Sequence, residues 1–294
     1  MVLDDRGRVV WGTADDGANH TSARFSADRR WIYAVNDGEV KRFAVDGSES
    51  VTDDPGGYHH DLLPLPGGRL LAIARTDGVY QDTAIQYDRL LRFEADGTST
   101  VLFDVLENLR LLPPVNPNRV AIGADITHAN ALAYDEATGD VLLGIAGLSA
   151  IARLSSETGE VRWILGPHGT PDPSAPLGVL LQHQMLFTPD GIAIFVNSAT
   201  DSECAQIVDY SFDHGTGRVE LAKVYRPDQC IETLALGGLA EAGEDRRAIS
   251  WSTAGTLDVI DQDGHQLSRI YLPLGVAFGY VDWNDSLYPV DEGG

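Results

Sequence analysis

Cysteine and lysine are scarce: the sequence has two of each in 294 residues. Two cysteines, Cys204 and Cys230, exclude a disulfide-rich scaffold and a four-cysteine zinc site. One bridge or two buried thiols remain open for them. With Lys41 and Lys223 the only lysines, positive charge is nearly all arginine. Asp and Glu number 44 against 21 Lys and Arg, a net charge of −23. Such a chain repels phosphates, which excludes nucleic acid as a partner. Its self-repulsion favours solubility. No stretch approaches the roughly 20 consecutive apolar residues of a membrane span. The start, MVLDDRGRVVWG, lacks the apolar region of a signal peptide and reads as a strand and turn.

What the sequence does have is repetition. The unit is a His, an apolar run, a turn with Gly or Asp, a second apolar run, then two more short strands. One copy runs from His20 to Asp28 before WIYAV and VKRFAVDGS. Others begin at His60 (before RLLAIAR), His128 (before DVLLGIA) and His183 (before IAIFVN). A fifth begins at Cys230 and ends at Gly238, before AISWS. Four short strands per repeat, with turn signals such as ADG, TPDG and DQDG, form the pattern of a propeller blade. The ending VAFGYVDWNDSLYPV resembles an inner strand. The start resembles the outermost strand of a blade. The expectation is an all-β chain, one domain over residues 1–294: a six-bladed β-propeller whose N-terminal strand closes the last blade.

In a propeller the innermost strands line a central channel. Residues at equivalent places converge there, since alternate side chains of a strand face opposite ways. His20, His60, His128 and His183 are therefore expected to meet, with Cys230 at the fifth place. His59 should point elsewhere, unless the register shifts by one. Imidazole is a common transition-metal ligand, a nucleophile and a general acid or base. His168, His214 and His265 fall in turns and read as surface residues. Trp163, Trp251 and Trp283 read as packing between blades. Cys204 and Cys230 fall on one face of such a propeller, where a disulfide could pin the loop. A free Cys230 would instead be a ligand or a reactive thiol.

Several segments resemble the bacterial arylsulfate sulfotransferases: YHHDLLPLPGGRLLAI, THANALAYDEATGDVLLGIAGLSAIARLSSETGEVRWILG, QHQMLFTPDGIAIFVN and FGYVDWNDSLYP. The resemblance implies a six-bladed propeller in a periplasmic or secreted setting. It implies sulfate transfer between phenols, with His183 as transient sulfuryl carrier. His60, His128 and Asn130 match positions that hold the sulfate and the transition state. Three cationic places differ. The family's Arg after the second strand of blade three is Ala146. Its Tyr-Arg pair near the C-terminus is Tyr280-Val281. Its Lys-Thr pair near blade five reads Glu232-Thr233. Arg75 is the evident replacement near the channel mouth.

Histidines kept and cations lost suggest a transition metal (Fe, Cu, Zn or Mn) held by His20, His60, His128 and His183, acting on a small molecule. Asp61, Asn130, Gln182 or Gln184 would orient its ligands. Sulfate transfer through His183 and a non-enzymatic binding propeller are the alternatives.

Overall fold

The computed structural model describes residues 2–4, 6–12, 20–36, 38–108, 125–166, 182–198, 204–213, 218–233, 235–271 and 279–287. His168 and His214 lie outside them. The described chain is all β, joined by turns and short 3-10 segments.

A hairpin of β1 (Val2–Leu3) and β2 (Val9–Trp11) opens the chain. A seven-stranded antiparallel sheet follows: β3 (His20–Phe25), β4 (Trp31–Asn36), β5 (Gly38–Ala44), β6 (Ser50–Leu65), β7 (Arg69–Tyr80), β8 (Thr83–Phe93) and β9 (Ser99–Asp104). It is two four-stranded units sharing one long strand. The first part of β6 pairs with β5 and the last part with β7. Three four-stranded meanders complete the set. The first is β10 (Ala129–Asp135), β11 (Asp140–Ile145), β12 (Ala150–Ser155) and β13 (Val161–Leu165). The second is β14 (Gln182–Thr188), β15 (Gly191–Val196), β16 (Gln206–Asp213) and β17 (Arg218–Tyr225). The third is β18 (Gly238–Glu241), β19 (Arg246–Ser250), β20 (Thr256–Asp261) and β21 (Gln266–Tyr271).

Alternating apolar residues face the next sheet on each side, so the core divides into layers between neighbouring units. Ile73, Leu90 and Phe103 pack with Leu132, Leu143 and Leu154. Ile151 and Leu165 pack with Ile192, Ile194 and Tyr210. Trp251, fully buried, lies 5.7 Å from the Phe195 ring and donates its indole N–H to Asp258. The Trp163 ring lies 4.9 Å from that of Phe212. Trp283 packs beside Val281 and Val259. All three indoles fill spaces between elements.

The N-terminal strand does not add to another sheet among the described residues; β2 pairs with β1 alone. The hairpin meets its neighbours through side chains. A Cβ on Gly7 would lie 3.1 Å from Ile270 of β21, and Trp11 packs edge-on against Phe43 of β5 at 6.2 Å.

The fifth repeat begins later than its sequence suggests. Its first strand starts at Gly238, eight residues beyond Cys230. Gly237 and Gly238 read as a turn, yet they mark close packing. A Cβ on Gly237 would lie 2.3 Å from Phe195 Cε1, and one on Gly238 would lie 2.4 Å from Gln184 Oε1. Residues 230–233 instead lie against the end of β15. Thr233 is buried and bonded to Asn197 and Ser198, and Glu232 is exposed.

Cys204 and Cys230 form a disulfide across a separation of 26 residues. A loop of that length confers about 3 kcal/mol by restricting the unfolded chain. Replacing both cysteines by serine should lower the unfolding free energy by about that amount in urea titrations. An unchanged midpoint would show that the loop is held without the bridge.

Candidate active site: histidines at the starts of the inner strands

Each leading histidine sits where its strand leaves regular pairing. The β3–β4 register shifts between His20 and Ser22, and the β6–β7 register between Tyr58 and Leu62. The shifts in β10 and β14 fall at Ala129/Ala131 and Gln182/Met185. Bulges of this kind re-aim side chains and are common beside active sites. His60 and His128 also hold left-handed backbone, with φ of 61° and 44°. That conformation costs a non-glycine residue of order 1 kcal/mol and persists where surrounding contacts impose it.

The result is a compact imidazole group. The His60 ring lies 4.6 Å from that of His128 and 6.3 Å from that of His183. Tyr280, from the C-terminal segment, lies 4.8 Å from His183. His20 opens β3 and pairs with Asn36; its side chain is outside the described set. His59 belongs to the group, contrary to expectation. Its Nδ1 is 2.5 Å from His60 Nδ1. The left-handed residue at 60 breaks the alternation that should have sent His59 to the other face.

Burial grades across the group. The His128 side chain is 39% exposed, whereas His183 as a residue is 4% exposed. His183 Nδ1 donates to the Gly237 carbonyl at 2.9 Å, so its neutral form carries no proton on Nε2. Burial pushes its pKa down to about 4 against the opposing pull of that carbonyl. Burial and then the other imidazoles push His60 far below the ordinary histidine range. Burial opposes ionisation of Asp125, yet two hydrogen bonds from His128 hold its carboxyl far below the usual range.

The low value for His183 has a thermodynamic consequence. The unfolded chain takes a proton on this imidazole near pH 6.5 and the folded chain only near pH 4. The unfolded state therefore binds more protons in that window. Stability should fall by about 3 kcal/mol as pH drops through it, from this residue alone. Urea unfolding of the wild type and of His183→Gln, at pH 7 and pH 4.5, checks this. The variant should lose less stability on acidification, and parallel losses would refute the assignment.

Most residues expected to orient ligands do other work. Asp61 is fully buried, and its hydrogen bonds go to groups other than the imidazoles. It accepts from Ser22 Oγ, Arg24, Leu62 N and Leu132 N, joining β3, β6 and β10. Gln184 donates to Val281 O and accepts from Leu239 N, tying β14 to β18 and the C-terminal segment. Asn130 Nδ2 donates to Gln182 O, and Gln182 Nε2 donates to Ala150 O. Their oxygens are buried without a hydrogen-bond partner among the described residues. The Tyr280 hydroxyl donates to the Asn130 carbonyl. Ala146 and Gly147 donate to the carbonyls of His128 and Thr127, fixing the turn before β12.

The carboxylates that do meet the histidines are Asp88 and Asp125. Asp88 accepts from His59 Nε2 at 2.7 Å, and Asp125 from His128 Nδ1 at 3.0 Å. Asp125 had a local signal, three residues before His128, where its side chain caps the turn. Asp88 had none, because its partners lie about 30 to 40 residues away in sequence. Arg75 lies 3.3 Å from Asp125. It borders a cleft of about 450 Å³, lined also by Gly57, Tyr58, His59, Asp77 and Gln86.

Of the four histidines expected to hold a metal, His20 has its side chain outside the described residues, and His60, His128 and His183 do not bring three donor atoms within 4.8 Å of one another. The group that does is Asp261, Asp263 and His265, on a β20–β21 turn where Asp261 already accepts from His265.

The arylsulfotransferase (ASST) family model matches residues 1–189, nearly two thirds of the sequence. The chain belongs to the arylsulfotransferase family. No curated protein matches it. Solved structures establish the kind of fold. The β-propeller domain of Cps50 (Swd1) from Myceliophteria thermophila is 13% identical, with 90% of this chain and 77% of that one covered at a TM-score of 0.52. A luciferin-regenerating enzyme is 10% identical, with 88% and 78% covered at 0.56. A streptogramin B lyase is 9% identical, with 94% and 76% covered at 0.53. At such identities the likeness concerns the propeller-like fold alone. Within this arylsulfotransferase family member, the matched span carries His60 and His128, while His183 lies near its end.

Proposed function

We propose that this protein transfers a sulfuryl group from an aryl sulfate to a phenol, with His183 as the transient carrier. The observation that carries the reading is the His183–Gly237 hydrogen bond. It leaves Nε2 with a lone pair, on a neutral imidazole grouped with His60, His128 and Tyr280. A neutral imidazole that keeps its lone pair at ordinary pH is what attack on sulfur requires. Nε2 bonds to sulfur as the aryl oxygen departs with its electron pair. A phenol oxygen then bonds to sulfur as the N–S bond breaks. Positive charge near the developing anion would come from Arg75, shared with Asp125.

The whole chain is read as one six-bladed propeller domain. The β1–β2 hairpin and residues 279–283 take the place of the sixth blade between β21 and β3. Contacts of Gly7 with Ile270, Trp11 with Phe43 and Phe25 with Asp282 support this. The Cys204–Cys230 bridge and the family favour an oxidising, periplasmic or secreted setting. The partner is a small molecule.

A transfer assay with a chromogenic aryl sulfate and a second phenol tests the function, with elemental analysis of the same sample. Transfer by metal-free protein supports the reading. A stoichiometric transition metal needed for activity would replace it with the metal-dependent alternative.

A further inference from the structure

Asp88, His59 and His60 form a chain that the proposed carrier does not use. Asp88 is fully buried in β8. Its Oδ2 accepts from Thr127 Oγ1 at 2.6 Å and from Ala129 N at 2.5 Å. Its Oδ1 meets His59 Nε2 at 2.7 Å. With donors on every side, the carboxylate acts only as an acceptor, so His59 carries its proton on Nε2. The Nδ1 of neutral His59 is then bare and must accept from His60 Nδ1, 2.5 Å away. His60 is left with Nδ1 protonated and Nε2 bare. The bonds that Asp88 of β8 accepts from Thr127, from Ala129 at the start of β10 and from His59 thus set the tautomer of His60 on β6.

We infer that Asp88 and His59 are positioning residues that hold His60 with a bare Nε2, ready to take the proton of the incoming phenol. The inference rests on the sulfuryl-transfer reading for its second half. As the phenol oxygen bonds to sulfur and the N–S bond to His183 breaks, the phenol O–H becomes strongly acidic, and its proton passes to His60 Nε2 although that imidazole is a weak base. The resulting imidazolium keeps its Nδ1–H bond to His59, backed by Asp88. Asp88→Asn would reverse the chain. Its amide N–H would face His59 Nε2, force the proton to His59 Nδ1, and leave His60 protonated on Nε2 in its neutral form.

Nitrogen-15 NMR of the histidine rings reads the tautomers directly and needs no activity. In the wild type, His59 should be protonated on Nε2 and His60 on Nδ1. The opposite pair would overturn the inference, whatever the protein catalyses. Kinetics test the second half. Asp88→Asn and His59→Gln should each slow transfer to a weakly acidic phenol by about 100-fold or more, in kcat rather than KM. Release of the first phenol, and transfer to acceptors already ionised, should change little. Equal loss with all acceptors would reduce the pair to a structural role. Absence of any phenol release in the wild type would instead defeat the carrier reading and leave the tautomer result standing.

Discussion

Replacing His183 by alanine is expected to lower the rate of sulfuryl transfer by at least about 10⁴-fold, because removal of a covalent nucleophile has effects of that size. His60, His128 and His183 are each hydrogen-bonded through Nδ1; His183 is the most deeply buried of the three and has a backbone carbonyl as its partner. His183 is buried, hydrogen-bonded on Nδ1 and bare on Nε2. His60 is joined to His59 through Nδ1, and His128 is more than a third exposed. His183→Gln keeps more of the side-chain volume and a donor for Gly237, so loss in both variants with unchanged circular dichroism separates chemistry from folding. Full activity in either would remove His183 from the mechanism.

The largest expected effect on stability lies outside the imidazole group. Asp61→Ala should destabilise the fold by about 3 to 5 kcal/mol, the range for breaking a buried ion pair by removing one partner. The Asp61 side chain is fully buried, and that of Arg24, 2.8 Å away, is 12% exposed. Without the carboxylate, Arg24 keeps its bond to Leu132 O as its one hydrogen bond among the described residues, while Ser22 Oγ and two backbone N–H groups lose their acceptor. Since these groups come from three different strands, the loss should loosen the packing between neighbouring units. Asp61→Asn retains two acceptor sites and should cost less. Chemical denaturation measures both. A loss below about 1 kcal/mol for Asp61→Ala would mean that water takes the place of the carboxylate.

His60, His128 and His183 were legible because the repeat is local. A histidine before an apolar run and a turn can be aligned by eye, and strand geometry brings the aligned places together. Strand alternation then failed at His59, since it assumes unbroken extended backbone and His60 is left-handed. The fifth repeat was misplaced because adjacent glycines signal a turn in sequence. Gly237 and Gly238 are there because Phe195 and Gln184 leave no room for a Cβ. Asp61 and Asp88 were the hardest to read. A buried carboxylate is defined by the donors around it, and those come from other units. Asp61 drew attention for standing next to a histidine, but its contacts assign it to the packing between units.

The hydrogen bonds around the imidazole group would serve a metal ligand and a sulfuryl carrier alike. A ligand histidine presents one ring nitrogen to the ion and supports it through the other. Here Asp88 and Asp125 support His59 and His128, whereas the Gly237 carbonyl supports His183. Among the described residues the nitrogens do not converge as three donors on one point. A carrier needs only one bare nitrogen with other groups beside it.

Trapping that carrier is the most direct measurement. The purified protein would be mixed with an aryl sulfate in the absence of acceptor, quenched in base, digested and analysed by mass spectrometry. A sulfuryl group on the peptide containing His183, lost when a phenol is added before quenching, is the expected result. Phenol release with no adduct there, or an adduct on another residue, would contradict the assignment of His183 as the carrier.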